Sequence, residues 1–283
     1  MYEDAAREML ATGLRPGTGE TGMSNFEITL LGLVAVSLGL AAWALKYGLK
    51  ERRRRKGRPL FDGDALPEVN PQDVDDIFSE TETGTALSAE AVVIGEQGSQ
   101  ASTTIDEVWV LAALAKKSKT IFEFGTCTGR TTYLLARNAP EGARIGTITL
   151  TPDTLDTYRA ESDDPDNARW TQIAKEESTF TNFHYSGTPV EGKVEQFFGD
   201  SKEFDDTPWA GTCDLVFIDG SHAYSYVKSD TEKAIAMTKK GGLVFWHDYS
   251  PPCPGVWKYL NELGKTHPIK HIKGTRLAVL RVS

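Results

Sequence analysis

From Ile28 to Leu45 the chain runs eighteen residues without a charge, reading ITLLGLVAVSLGLAAWAL. As an α-helix rising about 1.5 Å per residue it spans roughly 27 Å, close to the ~30 Å hydrocarbon core of a bilayer. Glu27 and Lys46 bracket the run, and Trp43 and Tyr47 stand where interfacial aromatics belong. The run is apolar on every face, unlike an ordinary core helix, and a cationic block follows it: Lys50, Arg52, Arg53, Arg54, Arg55, Lys56 and Arg58. Only Arg7 and Arg15 are basic on the other side. The pattern predicts a single transmembrane helix over 26–49, with residues 1–25 outside and the remainder in the cytoplasm. A cleaved leader is disfavoured, because the positive charge follows the apolar run. The block also suits anionic headgroups. Met23 is a second candidate start with the same topology.

Charge divides the chain at the same place. Residues 1–58 hold ten Lys/Arg and six Asp/Glu, and residues 59–283 hold twenty-one and thirty-four. The larger part is acidic, which argues against nucleic acid as a partner, since phosphate backbones need basic footprints. The three cysteines, Cys127, Cys213 and Cys253, are odd in number and widely spaced. They suit neither a disulfide framework nor a zinc site, and they fit a reducing compartment. Residues 50–100 read as a basic flank followed by an acidic linker, mixing Gly, Pro, Ser and acids without apolar periodicity.

A folded domain is expected over 101–283. Thr104 and Glu107 form a capping box before a helical run over 108–117. Strands are expected at 120–124, 144–150, 194–198, 215–218, 242–246, 269–272 and 277–282, and helices at 130–138, 224–237 and 256–263. This alternation predicts an α/β fold: a doubly wound, mostly parallel, seven-stranded sheet. The last two strands, joined by residues 273–276, form an antiparallel hairpin at its edge.

Four polar motifs fall at the carboxyl ends of these strands, where ligands of open α/β sheets bind. The first is Glu123-Phe124-Gly125-Thr126-Cys127-Thr128-Gly129, between a strand and a helix. Glycine there permits a tight turn and close backbone approach, and the helix start offers free N–H groups. Cys127 stands where a dinucleotide loop needs its middle glycine, which disfavours a pyrophosphate ligand. The others are Gly199-Asp200-Ser201, Asp219-Gly220-Ser221-His222 and His247-Asp248-Tyr249.

Carried by these stretches, residues from about 100 to 283 resemble class I S-adenosylmethionine-dependent methyltransferases. The likeness is to a bacterial branch with EFGTxxGRTT, GDS, DLVFIDGSHAYxYVxxD and GGLVFWHDY segments. It implies a Rossmann-like methyltransferase fold and S-adenosylmethionine as cofactor. Glu123, Gly125, Thr126, Cys127 and Gly129 would hold the methionine end. Asp200 would accept from the adenine amino group, with Ser201 beside it and Asp219 nearby. The family's ribose-binding acid is missing: Thr149 stands at its position, and Thr149 or Asp153 would substitute.

Methyl transfer to a hydroxyl needs alignment and a base. Asp219, His247 and Asp248 offer donors to a divalent ion such as Mg²⁺, although His prefers softer metals. Asp219 and His222 are the catalytic candidates, and His222 suits the base because its ordinary pKa lies near the working pH. Three functions stay open: an O-methyltransferase, metal-assisted or not; a relative doing other chemistry, such as hydroxylation; and an inactive membrane-tethered binding or scaffold protein. The anchor suggests a small-molecule, lipid-linked or glycan acceptor near the membrane. The sequence names neither the acceptor nor an oligomeric state.

Overall fold

The computed structural model describes residues 25–55, 65–95 and 103–283. The N-terminal segment 1–24 and its extracytoplasmic placement lie outside the described residues. The chain divides into two units, Met1–Arg58 and Pro59–Ser283.

The first unit contains α1 (Asn25–Arg55). Its stretch Thr29–Gly48 has a mean hydropathy of 1.7 and buries none of its residues. It is thus long and apolar enough to cross a membrane. Trp43 and Tyr47, four residues apart on one face, bring their rings to 4.6 Å.

The second unit begins earlier than the sequence suggests. The expected linker is, over 65–95, part of the fold. It supplies β1 (Glu68–Val69), α2 (Pro71–Val74) and a small hairpin of β2 (Glu80–Thr81) and β3 (Gly84–Thr85). Leu66, Ile77, Phe78 and Ala89 are buried. The Trp109 indole donates to the Ala89 carbonyl at 2.8 Å, and Lys117 Nζ lies 2.7 Å from Asp75. The elements are two to four residues long, too short to show periodicity, so single large side chains anchor the segment.

After it come α3 (Ile105–Ala115), β4 (Thr120–Phe124), α4 (Arg130–Asn138), β5 (Arg144–Thr149), α5 (Asn167–Glu177) and β6 (Val194–Phe198). The chain continues through β7 (Cys213–Ile218), α6 (Tyr224–Met237), β8 (Thr238–Trp246), α7 (Pro254–Leu263), β9 (Lys270–Ile272) and β10 (Ala278–Arg281). The capping box forms as expected: the Thr104 backbone donates to Glu107 Oε2 at 2.7 Å, and Thr104 Oγ1 accepts from the Glu107 backbone at 3.4 Å.

The strands form one eight-stranded sheet in the order β1-β9-β10-β8-β7-β4-β5-β6. β8 to β6 are parallel, and β10 runs antiparallel to both β8 and β9. The eighth strand, β1, pairs in parallel with β9. Alternation along the strands builds two cores. Ile121, Leu215 and Phe217 face Leu111 and Leu135 of α3 and α4. Phe122, Val216 and Ile218 face Tyr226 of α6 and Leu260 of α7. This is the doubly wound arrangement, and it leaves the carboxyl ends of five parallel strands along one edge.

Candidate active site

Along that edge lies a cleft of about 650 Å³, its open mouth included, floored by the loops after β4, β5, β6 and β7. The floor depends on Gly125. It sits at φ +101°, and a Cβ there would lie 2.2 Å from the Asp219 carbonyl oxygen. Only glycine lets the β4 and β7 loops meet this closely.

Gly125, Cys127, Thr149, Asp200 and Ser201 line the cleft. Glu123, Thr126 and Gly129 are not among the lining residues and shape the loop from behind. Glu123 is fully buried, accepts from Thr132, and accepts from Thr147 Oγ1 at 2.8 Å. Burial pushes its carboxyl up to about 8. Thr126 Oγ1 lies 2.8 Å from Thr147 Oγ1. Gly129 caps α4 at φ +74°, where a Cβ would meet Phe183. Of the two stand-ins for a ribose-binding acid, Thr149 lines the cleft, whereas Asp153 is exposed and outside it.

At one end of the cleft Asp200 Oδ2 accepts from Tyr226 Oη at 2.7 Å, and Oδ1 accepts from the Lys202 backbone at 2.9 Å. Tyr226 in turn stacks on Tyr158, ring centroids 4.7 Å apart. Asp230, which the sequence reading did not single out, also lines the cleft here. Burial raises its carboxyl to about 7.

Behind His222, outside the residues that line the cleft, lies a charged network. His247 is almost wholly buried, with Nδ1 3.0 Å from Asp219 and 3.2 Å from Asp248, and Nε2 3.2 Å from Glu107. Burial alone would lower its pKa, but Asp219 and Asp248 outweigh it and raise the pKa well above the usual range. Glu107 responds in kind: burial opposes its charge, yet the bond to His247 brings its carboxyl down to about 2. Asp248, at φ +53°, is likewise held below the usual carboxylate range by His247 against the effect of burial. Asp219 faces His247 and is not among the residues lining the cleft.

Two residues of this network were missed. Glu107 was read only as a helix cap. Arg276, in the β9–β10 turn, bonds Asp248 Oδ1 at 2.5 Å and donates its backbone N–H to Glu107 Oε1 at 2.6 Å. No local motif marks Arg276; only the strand order brings it here.

His222 joins network and cleft. Its Nε2 lies 3.2 Å from Asp248 Oδ2, while its buried Nδ1 has no hydrogen-bond partner among the described residues. Asp248 favours the proton on Nε2, which leaves Nδ1 a lone pair. Burial lowers the pKa, so the ring is neutral near pH 7. Its wall is α5, a helix the sequence reading overlooked. Trp170, Ile173, Ala174 and Glu177 all line the cleft, at the i, i+3, i+4, i+7 spacing that would have revealed it. Trp170 packs edge-on against His222 at 4.6 Å. Burial, with repulsion from Asp219 and Asp248, raises Glu177 to about 7. Cys127 is no nucleophile, since burial pushes its thiol up to about 12.

The candidate metal ligands do converge: donor atoms of Asp219, His247 and Asp248 lie within 4.8 Å of one another, as do those of His222, Asp248 and Cys253. Their chemistry does not fit a hard divalent ion. Asp248 Oδ1 is taken by Arg276, and both His247 nitrogens face carboxylates, an arrangement that calls for N–H groups rather than lone pairs.

Residues 122–249 match the family model of a methyltransferase domain, a stretch running from β4 past β8 and holding all four loop motifs. No curated protein sequence matches the chain. Among solved structures it is similar to cofactor-bound Rv0187 from MTB, at 19% identity and a TM-score of 0.45, covering 76% of this chain and 98% of that one. It is also similar to the O-methyltransferase TomG from Streptomyces achromogenes, solved with SAM, at 17% identity and a TM-score of 0.43 over 64% and 82% of the two chains. A third is an O-methyltransferase from Bacillus cereus solved with SAH, at 15% identity and a TM-score of 0.42 over 65% and 84%.

Proposed function

We propose that this chain is a membrane-anchored, S-adenosylmethionine-dependent O-methyltransferase with His222 as its general base. The observation that carries this reading is His222 itself: a neutral imidazole among the residues lining a cleft floored by the Gly125 loop, oriented by Asp248, with a buried Nδ1 that has no hydrogen-bond partner among the described residues.

The cofactor, when bound, supplies an electrophilic methyl group on a sulfonium. Gly125 and Cys127 would flank its methionine end, Thr149 its ribose, and Asp200 and Ser201 its adenine. His222 Nδ1 would take the acceptor hydroxyl's proton as the O–C bond forms and the S–C bond breaks. Asp248 would hold the imidazole in register and stabilise the imidazolium that results. The acceptor would enter beneath α5, against Trp170 and Glu177. Carboxyl groups at Glu177, Asp219 and Asp248 disfavour an anionic acceptor and favour a neutral hydroxyl. The length and hydropathy of α1 and the cationic block after it support a single span with residues 59–283 in the cytoplasm. That placement fits a lipid-linked or membrane-proximal acceptor.

Calorimetry with S-adenosylhomocysteine tests the cofactor, and membrane-fraction metabolites compared with and without the protein test turnover. Binding together with a product heavier by one methylene group is expected. Binding without turnover would instead favour an inactive tethered binding protein, and no binding would end the reading. C-terminal reporter fusions should be active only in cytoplasmic format, and export of the domain would overturn the topology.

A further inference from the structure

The corner where β7, β8 and the β9–β10 turn meet gathers three carboxylates, Glu107, Asp219 and Asp248, around His247. In an acidic pocket of this kind a divalent ion is one source of compensating charge. Arg276 is another, and its contacts cover the same groups. Its Nη1 lies 2.5 Å from Asp248 Oδ1, its Nε 3.6 Å from Glu107 Oε1, and its backbone N–H bonds the same Glu107 oxygen at 2.6 Å. Its Nη2 lies 3.4 Å from His247 Nε2. One residue therefore touches three of the four members of the cluster.

A guanidinium is charged at every working pH, and its planar fork presents several donors in a fixed geometry to the carboxylates around it. An ion bound by Asp219, His247 and Asp248 would have to share Asp248 with Arg276 and bear its repulsion at close range.

We infer that Arg276 stands in for a divalent ion: its fixed charge compensates Asp248 and Glu107, and the trio Asp219, His247 and Asp248 takes up no metal while it is there. The inference deepens the methyltransferase reading, but metal uptake is measured without turnover, so the two fail separately.

The test is titration of Mn²⁺ into the full chain in detergent, followed by electron paramagnetic resonance. Wild type should show no saturable uptake through the millimolar range. Arg276→Met, which keeps an unbranched stem and loses the charge, should open the site and tighten Mn²⁺ by about tenfold or more. Arg276→Gln is the second arm, with the same expectation, should the methionine variant fail to fold. Saturable Mn²⁺ uptake by wild type that Asp248→Asn abolishes would overturn the inference. So would a folded Arg276 variant that gains no uptake. S-adenosylhomocysteine binding in the same samples is read independently.

Discussion

The Gly125 loop and the charged network behind His222 are built on different physics. The loop is made of backbone: a glycine in a conformation few residues adopt, placed so close to the Asp219 carbonyl that no side chain fits. The network is made of side-chain charge, held by Glu107, His247, Asp248 and Arg276 from separate parts of the chain. Backbone sites are local and fail by steric exclusion. Charge networks are non-local and fail when one partner leaves the others buried and unpaired.

Substitutions can break this contrast, and the largest effect falls on the loop. Gly125→Val should abolish S-adenosylhomocysteine binding by calorimetry; near-normal binding would mean the loop does not hold the cofactor. At the junction, His222→Ala should lower turnover by roughly 10²–10⁴-fold, the usual range for general-base loss. Its cofactor affinity should stay near wild type, and unchanged turnover would move the acceptor site elsewhere.

Within the network, Glu107→Gln should destabilise the fold by about 3–5 kcal/mol, the range for breaking a buried ion pair. Denaturant unfolding measures it, and a loss under about 1 kcal/mol would mean the charges act independently. The smallest effect belongs to Glu123, whose raised carboxyl runs from an ordinary 4.5 to about 8. The unfolded chain ionises first, so this group's contribution is full below the lower value and is lost as pH rises through the upper one. Glu123→Gln should therefore lose less stability than wild type over that window and match it more closely in acid. Parallel melting curves against pH would show otherwise.

The same contrast explains what the sequence disclosed. The glycines, the strand-end acids and the capping box are local patterns, and the strands lie close to where alternation places them. Asp200 and His222 were legible because strand ends are legible. Glu123 stands before the glycine loop, and nothing local says that Thr132 and Thr147 both donate to one of its oxygens. α5 escaped because acids and a proline precede it and mask its i, i+3, i+4, i+7 face. Arg276 meets Glu107 across 169 positions, a pairing that only the folded sheet creates.

β1 has a practical consequence. By pairing with β9, Glu68 and Val69 close the outer rim of the sheet. A fragment cut to begin at the sequence-defined boundary, residue 101, would leave β9 with a row of open N–H and C=O groups, a template for self-association. It would also strip Ile77 and Phe78 from the core they help to fill. A soluble version freed of its apolar helix should start ahead of Leu66, and one begun at residue 101 should come out of the column as aggregate.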